Sequence, residues 1–205
     1  MSEKQKKPIY KRKWFIALAV FFGLAFIGAL MGEPEATEPT NPETTETTQA
    51  DTTPAPEIDL QAYETDVALA FEKHGQDFDN IRANTQATIE NLANTGDIYA
   101  AYDGLTSSAG AMEALRQRVD DMTAPDYLTK DQKDQYDKAK TAISNAAGYS
   151  RMAYNDLAKD IDKGDLSPSR IANYEQWTGM VEQEILSYAV AIAGLNADVG
   201  YGTEE

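Results

Sequence analysis

From Trp14 to Met31 the chain reads WFIALAVFFGLAFIGALM, eighteen residues in which the Trp14 indole is the only polar side-chain group. Water cannot solvate such a run as open chain, and as a helix it extends roughly 27 Å, close to the hydrocarbon thickness of a bilayer. Lys4, Lys6, Lys7, Lys11, Arg12 and Lys13 precede it with Glu3 as the sole acid, and no further cation appears until Lys73. Basic residues stay on the cytoplasmic side of an inserting helix, so residues 1–13 are expected in the cytoplasm and everything after Met31 outside. Tyr10 and Trp14 then fall at the inner headgroup layer. A cleaved signal peptide begins in the same way, but the run is longer than a usual h-region. Its small-residue site at Ile27, Gly28 and Ala29 lies inside the run, and Pro34-Glu35-Ala36 is a poor one. A retained single-pass anchor over 14–31 is therefore the expectation. Gly23 and Gly28 do not have the four-residue spacing of a helix-dimerisation motif.

Residues 32–57 change character completely. From Glu33 to Glu57 there are eight Thr, five Pro, six Glu and one Asp, with no aromatic and no large aliphatic side chain. Nothing in that stretch can bury enough apolar surface to offset chain ordering, so it reads as a disordered acidic stalk, extended by proline and carboxylate repulsion. Thr and Pro also suit O-glycosylation, but a bare spacer explains the composition equally, and no N-x-Ser/Thr sequon occurs.

Charge limits what the remainder can bind. The whole chain carries −16 while residues 1–13 carry +5, which leaves −21 on the rest. A surface of that sign repels phosphate backbones and excludes nucleic acid as a natural partner. The absence of cysteine removes disulfides, thiol catalysis, Cys-type zinc sites and the lipid-accepting cysteine of lipoproteins. An outside domain of this kind is held by its core alone, a usage that suits a bacterial envelope.

From Ile58 to Asn196 the apolar residues recur at helical spacing, and no stretch alternates as a strand does. A first helix is predicted with Tyr63, Val67, Ala70, His74, Phe78, Ile81, Thr85, Thr88 and Leu92 on one face, ending at Gly96. A second opens at Asp97 and turns Ile98, Tyr102, Leu105, Ala109, Met112, Leu115, Val119 and Met122 inward before Pro125. A third starts from a capping box, Thr129 with Gln132, and presents Tyr136, Ala139, Ile143, Ala146, Ser150, Ala153, Leu157 and Ile161, with Gly164 as its stop. The fourth follows Ser167 and Pro168 with an unbroken 3-4 repeat of Ile171, Tyr174, Thr178, Val181, Ile185, Tyr188, Ile192 and Leu195. Short connections make neighbours antiparallel, so the all-α expectation is an up-down-up-down four-helix bundle over 58–196 with an acidic tail over 197–205. Both bundle ends then return to one pole, and the Gly96 and Gly164 turns are displayed at the other.

Candidate chemistry is sparse. His74, the only histidine, sits on an apolar helix face with Phe71 three residues before it, where a di-iron bundle requires Glu. Asp160, Asp162 and Asp165 begin like a calcium loop, but Asp165 occupies the required glycine position and Ile171 that of the bidentate Glu. Only weak Ca²⁺ binding is left open there. Asp131, Asp134 and Asp137 alternate with lysines as a solvated face does. No G-x-S-x-G, phosphate-cradling loop or serine triad is present, so no catalytic, cofactor or metal residue is predicted. Tyr99, Tyr149 and Trp177 lie off the central seam, where they either widen the core face or line a groove for a partner, and they are the candidate partner surface. The expectation is a non-enzymatic, membrane-anchored extracytoplasmic interaction module of the cell envelope. Its alternative is a ligand-binding or sensor bundle acting through a partner membrane protein.

Overall fold

The computed structural model describes residues 58–202, and every regular element among them is helical. The predicted anchor over 14–31, the stalk over 32–57 and residues 203–205 of the tail lie outside the described residues. Among the described residues no helix is long and apolar enough to cross a membrane.

The first rod is built from α1, Leu60–Tyr63, a π-helical turn over Glu64–Ala68, and α2, Leu69–Thr95. It is followed by α3, Ile98–Asp120, α4, Lys130–Lys163, and α5, Pro168–Val199. Side-chain caps define the starts: the Asp59 carboxylate accepts from the amides of Gln61 and Ala62, and that of Asp97 accepts from Ala100. At Thr129 both halves of the predicted capping box are formed with Gln132. Ser167 occupies the N-cap position before Pro168, but its hydroxyl lies 3.2 Å from that of Ser169 and caps no backbone amide. Gly96 and Gly164 adopt left-handed conformations, φ 72° and 66°, that side-chain-bearing residues reach only with strain, and they end α2 and α4 at the predicted places.

Four long helices in antiparallel succession follow from the pairings. Along α2 and α3, Asp77 meets Arg118 and Thr88 meets Gly104. Along α3 and α4, Asp120 meets Ser144 and Glu113 meets Arg151. Between α4 and α5, Gln135 lies beside Gly194 and Asn145 beside Glu184. In each pair the numbering rises on one helix as it falls on the other. One pole therefore holds Ile58, the connection from Asp121 to Thr129 and the end of α5, and the opposite pole holds the Gly96 and Gly164 turns.

The innermost helix is α4, which lies against α3 on one side and α5 on the other. All eight residues of its predicted stripe, from Tyr136 to Ile161, are buried, as are Ala142, Ala147, Tyr154 and Ala158 beside them. The many alanines let two neighbours approach at once. By contrast α5, with the most regular repeat in the sequence, buries Val181 and Leu195 of that stripe, with Ala191 beside it, and leaves the rest of the stripe partly covered. Backbones of the first rod and α5 stay apart, and long side chains close the ring. Tyr188 donates to the Phe71 carbonyl at 2.8 Å, and Phe71 packs edge-on against Tyr136 with ring centroids 5.0 Å apart.

Two predicted core positions are corrected. Phe71 is 1% exposed where the 3-4 count favoured Ala70. The π-helical turn inserts an extra residue and advances the phase, so the core line passes from Tyr63 and Val67 to Phe71 and Phe78. Tyr102 is 38% exposed, whereas Ala101 is buried. Gly104 brings α3 so close to Thr88 that a small side chain, not a phenol, fits between the helices.

Candidate functional site

The three aromatic residues expected to mark a partner surface do not form one patch. Tyr149 on α4 and Trp177 on α5 stack across the helix pair, with centroids 6.1 Å apart and planes 22° apart, and both remain partly exposed. Offset stacking of this kind binds the two helices and still offers an aromatic edge to solvent. Tyr99, in the first turn of α3, is 84% exposed. Tyr149 lies level with the Glu113 and Arg116 region of α3, as the neighbouring contacts of Gly148 with Arg116 and Arg151 with Glu113 show. Tyr99 stands about 20 Å further up that helix, at the pole of the Gly96 and Gly164 turns.

At the other pole the tyrosines are fastened. The Tyr63 hydroxyl donates to Asn196 Oδ1 at 2.7 Å, Tyr127 reaches Asp66 Oδ2 and Tyr201 reaches Glu64 Oε1, both at 3.3 Å. Tyr201, just past the Gly200 cap of α5, also packs on Tyr63 with centroids 5.5 Å apart. Burial pushes the Tyr127 phenol up to about 12, with the Asp66 carboxylate adding to it. Tyr136, beside Asp137, and Tyr188, near Asp79 and Glu72, are likewise raised to about 12, chiefly by burial. These groups stay neutral at any physiological pH, as donors and packing surfaces. Lys140 Nζ donates to the Met122 carbonyl at 2.6 Å and so ties down the connection after α3.

His74 lies midway along the rod, half-buried, with Nδ1 shielded from solvent and making no hydrogen bond. Burial lowers its pKa below the ordinary value, Arg118 and Lys73 lower it further, and Asp77 opposes them. Asp77 is itself shared between Lys73 at 3.0 Å and Arg118 at 3.1 Å. An imidazole kept neutral between two cations, with its carboxylate neighbour already paired, is a boundary residue rather than a poised base. A second charged group joins α3 and α4: Glu113 binds Arg116 at 2.8 Å and lies 3.3 Å from Arg151 Nε, while Arg116 also reaches Asp120. Among the described residues no group of three acidic, histidine or cysteine side chains could hold a metal. At the acidic turn considered for Ca²⁺, Asp160 is buried and shares Arg170 with Asp165, at 3.6 and 3.7 Å, while Asp162 is exposed. The Arg170 guanidinium lies beside both carboxylates. The Asp131, Asp134 and Asp137 face is solvent-exposed, with Lys130 paired to Asp134 at 2.8 Å.

One further surface carries no signal in the residue pattern. On the outer side of α5, Leu186 is 66% and Val190 65% exposed, one helical turn apart. No protein-family model, curated protein or solved structure matches the chain.

Proposed function

We propose that this protein is a membrane-anchored, extracytoplasmic interaction module of the cell envelope, acting by contact and not by catalysis. Residues 14–31 hold it in the membrane, 32–57 form the spacer, and the bundle that begins at Ile58 is the part presented. The observation that carries this reading is one of polarity. The bundle starts at Ile58, and the Gly96 and Gly164 turns with the 84%-exposed Tyr99 lie at the end of the bundle opposite that residue. Tyr99 adds little packing to the fold, and tyrosine is among the residue types enriched at protein contacts. The stacked Tyr149 and Trp177 offer a second aromatic edge on the flank. Chain topology decides the proposal: a C-terminal tag on the full chain should fractionate with membranes and be removed when intact cells meet protease. A soluble, shortened product would replace the tethered reading with a secreted one, and a protected tag would reverse the orientation.

A further inference from the structure

The outer side of α5 carries a second heptad line. Ala172, Gln176, Gly179, Gln183, Leu186, Val190, Ala193 and Ala197 follow one another at alternating four- and three-residue steps, and all eight are exposed. None is charged, on a domain whose surface is otherwise strongly acidic. The line extends roughly 38 Å, nearly the whole helix. It is separate from the inner stripe of Ile171 to Leu195, so α5 has two faces spaced for helix packing and the bundle uses one of them. Gly179 lies on this line, mid-helix, and a Cβ built there would meet nothing within 4 Å, as is also true of Gly110 on α3. The glycine leaves room for close approach of a second helix.

We infer that this face is the interface of a parallel homodimer, α5 against α5 in register. The inference rests on the tethered reading for bringing two copies together, and its direction rests on the residues along the line. The residues then suit self-pairing. Leu186 and Val190 meet their own counterparts at the centre. The amides of Gln176 and Gln183, each carrying both a donor and an acceptor, pair with their equivalents, a device that fixes register and strand number in coiled coils. Ala172, Gly179, Ala193 and Ala197 let the backbones close in. The bordering acids, Glu175 and Glu182, fall opposite Met180 and Ser187 of the second copy, so no like charges meet along the seam. Overall acidity still repels two copies, and anchoring in a shared membrane counters that repulsion by raising their effective concentration.

The cysteine-free chain makes the test direct. Leu186→Cys, Val190→Cys and, as an exposed site on α3, Thr106→Cys are made singly in the full chain. Membranes are oxidised and run on a non-reducing gel. The expected result is a disulfide-linked dimer many-fold more abundant for both Leu186→Cys and Val190→Cys than for Thr106→Cys. Membrane-bound monomer at both seam positions overturns the inference, and so does equal crosslinking at Thr106. A dimer at only one seam position indicates an antiparallel or staggered contact and overturns it too. Recovery of the chain in the soluble fraction instead counts against the tether, and the same gel on that fraction then judges the seam separately.

Discussion

The Tyr63 hydroxyl, at the start of the first rod, donates 2.7 Å to Oδ1 of Asn196 near the end of the last helix. That bond joins residues far apart in the chain at the pole where both bundle ends meet, and Tyr63 itself is fully buried. It supports a helix pair whose backbones otherwise stay apart. Tyr63→Phe removes the bond and keeps the ring, so a loss of about 1 kcal/mol is expected. Tyr63→Ala also empties the site between Val67, Leu195 and Tyr201 and should cost about 3 to 5 kcal/mol. Chemical denaturation of the two variants separates the hydrogen bond from the packing. Equal losses would mean that the bond, and not the ring, carries the contact.

Gly104 faces the opposite problem, too little space. A Cβ there would lie 2.7 Å from Thr88 Cγ2 and 2.8 Å from its Oγ1. Alanine improves helix propensity by about 1 kcal/mol, but crowding a close helix contact costs about 1 to 3 kcal/mol. Thr88 cannot rotate freely, since its hydroxyl bonds the Asn84 carbonyl at 3.0 Å. Gly104→Ala alone should therefore lower the melting temperature, and adding Thr88→Ala should restore most of it. A single variant more stable than the parent would show that the helices part without cost.

These two contacts also mark how far the sequence could be read. Helix ends were legible because they depend on local chemistry: the Thr129 and Gln132 box, Asp97, and the glycines at 96 and 164 act within a turn of themselves. Depth was not legible. A 3-4 repeat says which face turns inward, and it marked α5 most strongly, yet α4 became the centre because its alanines admit two neighbours and hydropathy gives alanine little weight. The π-helical turn at Glu64–Ala68 has no sequence signature, so a regular 3-4 count passes over Phe71. Of the aromatic candidates, exposure of Tyr99 followed from its place off the stripe. The stacking of Tyr149 on Trp177 needed the register between helices, which spacing within one helix cannot supply. The outer line of α5 was hidden for a similar reason: small and amide residues look like ordinary surface until their exposure is seen together.

The turn after α4 gives a ligand test. Arg170 supplies the positive charge for both Asp160 and Asp165, and Asp160 is only 7% exposed. Millimolar Ca²⁺ should leave the melting temperature of the parent chain unchanged. Arg170→Ala leaves a buried carboxylate without its partner and should cost about 1 to 3 kcal/mol. A calcium-dependent rise in the parent would show that the ion displaces the guanidinium.

Acid sensitivity should centre on His74. Its folded-state pKa is held down by burial, then by Arg118 and Lys73 against the pull of Asp77. The unfolded chain therefore binds this proton more readily than the folded one. The stabilisation is complete above the unfolded value, about 6.5, and is lost as pH falls below it toward the folded pKa. The carboxylates respond lower. For Asp77, burial raises the pKa but Lys73 and Arg118 outweigh it; for Glu113, hydrogen bonding from Arg116 leads the lowering. Their losses begin near pH 4 and below, so the window between pH 6.5 and 5 belongs to the histidine. His74→Gln should flatten the fall in melting temperature across that window while leaving the fall at lower pH intact. With one histidine in the chain, a single imidazole resonance reports the titration. It should lie below the ordinary histidine value and move upward in Arg118→Gln. A resonance at or above that value would mean that Asp77, rather than burial and the two cations, governs the site.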